Sequence, residues 1–392
     1  MYYTLFIQGC LNIGYMLGKT GNDALAVYSL VQTTAMAACF AYMLVTLYER
    51  NVPVRWLLTL GVLYAFVPCY LGASVSIWKD TPFSLAAAFL CIALYRMYER
   101  VGNTAGNYIV YGLSSVAFCL SRTNGWYSFL ALTALLLLVG SLRNWKLLGI
   151  SAVILLATWV MLNPVLERFG ARGTDYLEVL STPLQQISRV CWSDYDPPAE
   201  DIELLEKVLD TEQVADLYQY NLVDPIKYDC FRRDNMAYFL EHFGEYARLW
   251  LRWGIRYPGD YLKAWVDLTK GFWSIGRDYY NFSCLDREYL PMGFAQVDFS
   301  NPVADRLALL FYRSEQSMLL RPFFSCGLQL WLVLGCMLLQ RKSGRKGWVA
   351  GLPALIILVG LWLCTPTSGP FRYAYVTAFV APFMICDTAF RG

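Results

Sequence analysis

Histidine is almost missing from this chain of 392 residues, with His242 as the single example. Multi-histidine zinc sites, Cys/His pairs and paired-histidine metal centres are therefore not expected. Charge is scarce too: Asp, Glu, Lys and Arg make up 16%, against about 25% in a soluble domain. No GxGxxG or GxxxxGK[ST] occurs, and no long basic stretch is interleaved with aromatics, so no nucleotide or nucleic-acid partner is expected. There are 12 cysteines but no close CxxC pair. Most lie inside apolar runs, where a thiol acts as a small buried hydrophobe. Cys191, Cys230 and Cys284 lie in polar sequence; one disulfide with a spare thiol is open there, and the redox compartment stays undecided.

Apolar residues are abundant, at 57%, where a soluble domain has about 45–50%. The formal charge of +2 hides a partition. Between Val165 and Met318 there are 25 acidic and 16 basic residues, and elsewhere 5 acidic and 16 basic. This pattern reads as a basic-flanked membrane body carrying an acidic, water-facing insert.

A membrane-crossing helix needs ~20 mainly apolar residues. Nine segments qualify, near 25–47, 56–77, 83–98, 107–121, 125–141, 147–164, 319–340, 347–364 and 371–389. Cations are retained on the cytoplasmic side of such helices. One alternating set of helix ends holds eleven of them (Arg50, Arg55, Arg96, Arg100, Arg143, Lys146, Arg341, Lys342, Arg345, Lys346, Arg391) and the other five (Lys19, Lys79, Arg122, Arg321, Arg372). The expectation is an all-α, polytopic plasma-membrane protein whose insert is external and whose C-terminus is cytoplasmic. Its parts are a membrane domain over 1–164, the insert over 165–318 and a second membrane domain of three spans over 319–392. Residues 1–17 are apolar but interrupted by Gly9, Asn12 and Gly14 and lack a leading cation. They read as an interfacial helix, with a further helix upstream as an added expectation.

The insert reads as largely helical. PPAEDIELLEKVL starts with prolines and carboxylates suited to a helix N-terminus and puts Ile202, Leu205 and Val208 on one face. Asn301 and Pro302 suit the start of a helix leading into the span at 319. From Met236 to Trp273, Trp and Tyr alternate with Arg248, Arg252, Arg256 and Lys263, as in amphipathic helices resting on headgroups and broken at Pro258.

Polar groups at the outer ends of spans are the candidates for chemistry, since ionisable residues at membrane depth are costly and often functional. In WKDTPF, Lys79 and Asp80 sit together; capping by Thr81, Pro82 in the first turn and Asp80 on the helix dipole account for the same pattern structurally. SRTNG offers Arg122 and Asn124, and SGPFRYAY offers Arg372 and Tyr373. Converging at one mouth, Lys79, Arg122 and Arg372 would hold a phosphate or pyrophosphate; apart, they would snorkel or pair with the acidic insert. In STPLQQISRV, Gln185, Gln186 and Arg189 have the hydrogen-bonding chemistry for a sugar or phosphate, although a capped helix start explains much of it. His242 reads as a surface or packing residue. Asn281-Phe282-Ser283 is an acceptor-type triplet for glycosylation.

With this topology, the chain resembles the polyprenyl-phosphate-dependent membrane glycosyltransferases of the GT-C superfamily and related uncharacterised bacterial membrane families. The similar features are the acidic residue between two spans (Asp80 in WKDTPF) and the late Arg372-Tyr373 pair. SRTNG and STPLQQISRV look like segments of the uncharacterised families. The resemblance implies a GT-C-like fold and sugar transfer from a polyprenyl-phosphate-linked donor to a saccharide or cell-envelope acceptor at the outer leaflet. Asp80 would orient the acceptor or a divalent cation, and Lys79, Arg122, Arg372 and Tyr373 would bind the donor phosphate. In those enzymes the principal acidic motif lies in a first external loop, which would precede Met1 here, so a truncated or inactive relative is a further expectation. A transporter or flippase of a lipid-linked or amphipathic solute is the competing reading, and a membrane-anchored partner-binding protein the third.

Overall fold

A computed structural model describes residues 2–170, 176–276, 306, 309–311, 313, 314 and 316–390, and among these the chain is helical, with no strand. The Asn281-Phe282-Ser283 triplet, Cys284 and the Asn301-Pro302 cap lie outside them. Helices used below are α1 (Tyr2–Met16), α2 (Gly21–Glu49), α3 (Val54–Phe66), α4 (Pro68–Val75), α5 (Asp80–Tyr98), α6 (Thr104–Ser121), α7 (Thr123–Leu138), α8 (Trp145–Val160), α9 (Ser181–Trp192), α10 (Ala199–Glu206), α11 (Phe243–Arg256), α12 (Pro258–Thr269), α13 (Cys326–Lys342), α14 (Leu352–Cys364) and α15 (Tyr375–Phe390). The contacts divide the chain into two units. One comprises Met1–Gly173, Asn281–Leu358 and Phe371–Gly392; the other comprises Thr174–Tyr280 and Val359–Pro370.

Among the described residues five helices are long and apolar enough to cross a membrane: Asp23–Glu49, Asp80–Tyr98, Trp145–Arg168, Gly347–Cys364 and Phe371–Phe390. This is the length and composition of a membrane protein. A sixth crossing is reached if α3 and α4 count as one; they meet at a 52° bend. Pro68 causes the break. It supplies no N–H to the preceding turn and pushes the residue before it out of the α region; Val67 is accordingly extended, at φ −72° and ψ 124°. The other expected segments are helical but shorter or more polar. α6 carries Asn107, Ser114, Ser115 and Ser121, α7 has 16 residues, and α13 has 17 and begins at Cys326 instead of 319. Its late start follows from Pro322 in a 3-10 turn and from Ser325, whose hydroxyl accepts from the Leu328 N–H at 3.2 Å.

In the first unit α5 is the central element, buried along most of its length by its Ala- and Leu-rich faces. Small residues let neighbouring helices approach closely. At α1, a Cβ on Gly14 would lie 2.6 Å from Ala24 Cα, so α1 docks on α2 through a bare backbone patch. At the C-terminal end of α5, charges that flank apolar runs in the sequence are paired. Arg96 bonds Glu49 at 2.8 Å, Thr46 at 2.8 Å and Asn107 at 3.0 Å. Glu99 binds Arg50 and accepts from the N–H groups of Lys346 and Gly347 at 2.7 and 2.8 Å. Asp387, fully buried, is held by Arg345, Tyr95 and Gln340. Breaking one such buried pair costs about 3–5 kcal/mol, because the other charge is left without compensation.

The second unit has its own core, in which Val190, Leu205, Val208, Ile226, Leu249 and Trp253 are buried. Pro258 does break the aromatic stretch, as the first helical residue of α12. Its aromatic side chains, however, are not all available to headgroups. Trp253 and Tyr261 belong to the core, and the Trp253 indole donates to Asp201 at 2.8 Å. Phe243, Leu251, Ile255 and Leu262 are the exposed large apolar residues of these two helices. The periodicity of the stretch therefore serves a protein core first. Cys191 and Cys230 carry free thiols, and His242 stacks on Tyr238 with ring centroids 4.1 Å apart.

Candidate functional site

Three chain segments of the first unit meet at the N-terminus of α5. Asp80 is the first residue of that helix, where the dipole favours its charge. The expected cap is not formed: Lys79 occupies the N-cap position without a side-chain cap, and the Thr81 hydroxyl donates instead to the Ala73 carbonyl at 3.1 Å. Arg122 is the single extended residue between α6 and α7, at φ −146° and ψ 147°. Gly125 makes this turn feasible, since a Cβ there would lie 2.3 Å from the Phe118 carbonyl oxygen. Arg372 sits in the 3-10 turn Phe371–Ala374 that leads into α15.

These elements place both arginines on one carboxylate. Asp80 is 4% exposed; its Oδ1 accepts from Arg122 Nη1, and its Oδ2 is 3.5 Å from Arg372 Nε. The guanidiniums also lie against aromatic faces. Arg122 is 5.0 Å from the Tyr373 ring and 5.6 Å from Phe83, while Arg372 is 4.3 Å from the Trp78 ring and 5.3 Å from Tyr373. Each such contact is worth about 0.5–2 kcal/mol, more when water is excluded. Two cations and one anion leave a net positive, aromatic-walled cluster that is suited to exchanging its internal carboxylate for an incoming anion.

A polar chain continues from this cluster to α4. Tyr3 and Tyr28 hydroxyls are 3.1 Å apart, and Tyr28 donates to Gln32 Oε1 at 2.5 Å. Gln32 Nε2 donates to the carbonyls of Ala73, Ser74 and Ser76 at 3.0, 3.0 and 2.8 Å, filling acceptors that the end of α4 leaves open. Burial is the main reason the Tyr3 hydroxyl titrates above its ordinary value; the Tyr28 hydrogen bond opposes this, and the Asp80 charge adds to it.

Of the residues expected from sequence, Asp80, Arg122, Arg372 and Tyr373 come together. Lys79 is next to them in the chain with an exposed side chain, and Asn124 is exposed in the first turn of α7. Gln185, Gln186 and Arg189 lie in the second unit, where they tie α9 to its neighbours. Gln185 donates to Gln219 O at 2.6 Å, Gln186 accepts from Trp250 at 2.9 Å, and Arg189 bonds Asp260 and Asp267 at 3.2 and 3.0 Å. Trp78, Phe83, Tyr28 and Gln32 join the site without having been expected there from charge or motif. WKDTPF already placed both aromatics beside Asp80, whereas Gln32, a lone amide inside an apolar run, was the available signal for the α4 contact.

Among the described residues no three His, Cys, Asp or Glu side chains gather as a metal site. At Asp80 the donor set is one carboxylate already engaged by two guanidiniums, which repel a divalent cation, so no chemistry is assigned to one. No curated protein and no solved structure matches the chain. Residues 1–391 match the family of unknown function DUF6020, and the chain belongs to that family.

Proposed function

We propose that this protein is a membrane glycosyltransferase with a GT-C-like fold that takes a sugar from a polyprenyl-phosphate-linked donor at the outer leaflet of the plasma membrane and passes it to a saccharide or cell-envelope acceptor. In this reading α6, α7 and α13 complete nine crossings, and the asymmetry of lysine and arginine puts the 165–318 insert outside and the C-terminus in the cytoplasm. The supporting observation is that two arginines from distant turns meet a single buried carboxylate among aromatic rings.

The donor phosphate would take Arg122 and Arg372 from Asp80, because a phosphate offers each guanidinium two oxygens. Asp80, released, would accept a hydrogen bond from the acceptor hydroxyl and orient it. As the acceptor oxygen bonds to the anomeric carbon, its proton passes to the Asp80 carboxylate, the bond from that carbon to the phosphate oxygen breaks and the electron pair leaves with the phosphate. The two arginines stabilise the charge that develops there. Lys79, at the same helix end, adds a third cation to the field.

A second reading, a transporter or flippase for a lipid-linked or amphipathic solute, is favoured by one observation. The bent α3/α4 pair ends at Val75, five residues before Asp80, and broken helices commonly form solute sites. Native mass spectrometry of the purified protein with a polyprenyl phosphate tests the shared premise. Arg122→Ala and Arg372→Ala should each weaken binding about ten-fold or more, the loss of one charge-assisted hydrogen bond. Binding equal in all three proteins would remove the premise. Sugar transfer to an added acceptor, as against movement of a labelled lipid without transfer, separates the two readings.

A further inference from the structure

α6 and α8 of the first unit flank an open groove of about 850 Å³ with almost entirely apolar walls. That is within the range of roughly 300–1,000 Å³ in which small-molecule sites fall. Leu113 and Val116 line one side, Ile150 and Val153 the other. Glycine occurs in both walls: a Cβ on Gly112 or Gly149 would meet nothing within 4 Å. The groove is held at fixed width by Tyr111 and Ser151, whose hydroxyls are 2.6 Å apart and buried between the helices.

Length and charge identify an occupant. Along α8 the lining runs from Trp145 to Ile154, about 13 Å at 1.5 Å per residue. This is close to half of a hydrocarbon core of about 30 Å, the depth of one leaflet. One end is polar and cationic. Trp145 and Lys146 line it, Arg143 lies 5.7 Å from the Trp145 ring, and all three are exposed. Tryptophan beside lysine and arginine is the side-chain set that sits at headgroup level, and each cation there attracts anionic lipid. We infer that this groove holds one acyl chain of an anionic phospholipid, with its phosphate at Arg143 and Lys146. The site is separate from the Asp80 cluster and does not depend on the proposed activity.

Native mass spectrometry tests it on the full-length protein in detergent, titrated separately with phosphatidylglycerol, phosphatidylcholine and a polyprenyl phosphate. One equivalent of phosphatidylglycerol should be retained about ten-fold more strongly than phosphatidylcholine. The double change Arg143→Gln with Lys146→Gln, both at exposed positions, should remove that preference. Gly149→Leu, which fills the groove, should lower retention of both phospholipids. Melting curves in lipid-free detergent establish that the variants are folded. The inference is overturned if the wild type retains both phospholipids alike, or if the preference survives the double change. It is also overturned if Gly149→Leu loses only the polyprenyl phosphate, which would assign the groove to an isoprenoid chain reaching down from Arg122.

Discussion

Asp80 is the residue on which the first unit's polar chemistry turns, because its two oxygens are bound by arginines from different turns. A carboxylate so placed can be structural or functional, and the energetic difference is measurable. Removing Arg122 leaves Asp80 buried with one partner, and removing Asp80 leaves two guanidiniums facing each other; either should cost about 3–5 kcal/mol. Because both changes break one interaction, they will not add. Asp80→Asn, Arg122→Ala and the double variant should show a coupling of about 1–3 kcal/mol in thermal or denaturant unfolding. Strict additivity would mean that the two side chains do not act as a pair. Arg122→Lys should recover only part of the loss, since lysine keeps the charge but neither the fork nor the planar stacking on Tyr373.

At the scale of the element, packing is controlled by positions with no side chain. Gly14 and Gly125 each admit a neighbouring backbone that a Cβ would strike, at 2.6 and 2.3 Å. Gly14→Val should loosen α1 from α2, and Gly125→Ala should strain the α6/α7 turn that carries Arg122. Each is expected to destabilise by about 1–3 kcal/mol, the usual cost of overpacking, read as a lower melting temperature in detergent. An unchanged melting temperature for Gly125→Ala would contradict the close approach at Phe118. These positions also show where sequence stopped being informative. Apolar runs located the helices Asp23–Glu49, Asp80–Tyr98, Gly347–Cys364 and Phe371–Phe390 almost to their ends, because length and apolarity are local properties. Pro68 lies inside 56–77 and signals a break only through its effect on Val67, so the 52° bend was absent from the periodicity. The meeting of Asp80, Arg122 and Arg372 was legible as three charged turns at the ends of apolar runs. The aromatic walls around them, and the use of Gln185, Gln186 and Arg189 inside the second unit, depend on packing that spacing does not encode.

For the molecule as a whole, the partition of charge is the property with the clearest experimental consequence. The 25 acidic residues between Val165 and Met318 are not simply a solvated surface, because several are held by cations within the second unit. Arg189 bridges Asp260 and Asp267, Arg252 binds Asp201, and the fully buried amine of Lys227 is 2.9 Å from Asp224 and 3.1 Å from Glu178. Burial alone would raise the Asp260 carboxyl, but the Tyr195 hydroxyl and the Arg189 guanidinium outweigh it and hold the group below its ordinary value. In the first unit burial likewise opposes the charge of Glu99, and Arg50 with two backbone N–H groups outweighs it, so that carboxyl is also depressed. A depressed carboxyl contributes stability that is fully present above its unfolded value, about 4 for Asp and Glu. That contribution is lost as pH falls through the lower, folded value. The melting temperature should therefore fall as pH drops below about 4. Asp260→Asn should cost about 1–3 kcal/mol at pH 7, a charge-assisted hydrogen bond and its partner's desolvation. The same variant should flatten the acid side of the melting-temperature profile, because the group that must take up a proton is gone. A variant as steeply acid-sensitive as the wild type would assign the acid lability to other carboxylates and leave Asp260 as packing alone.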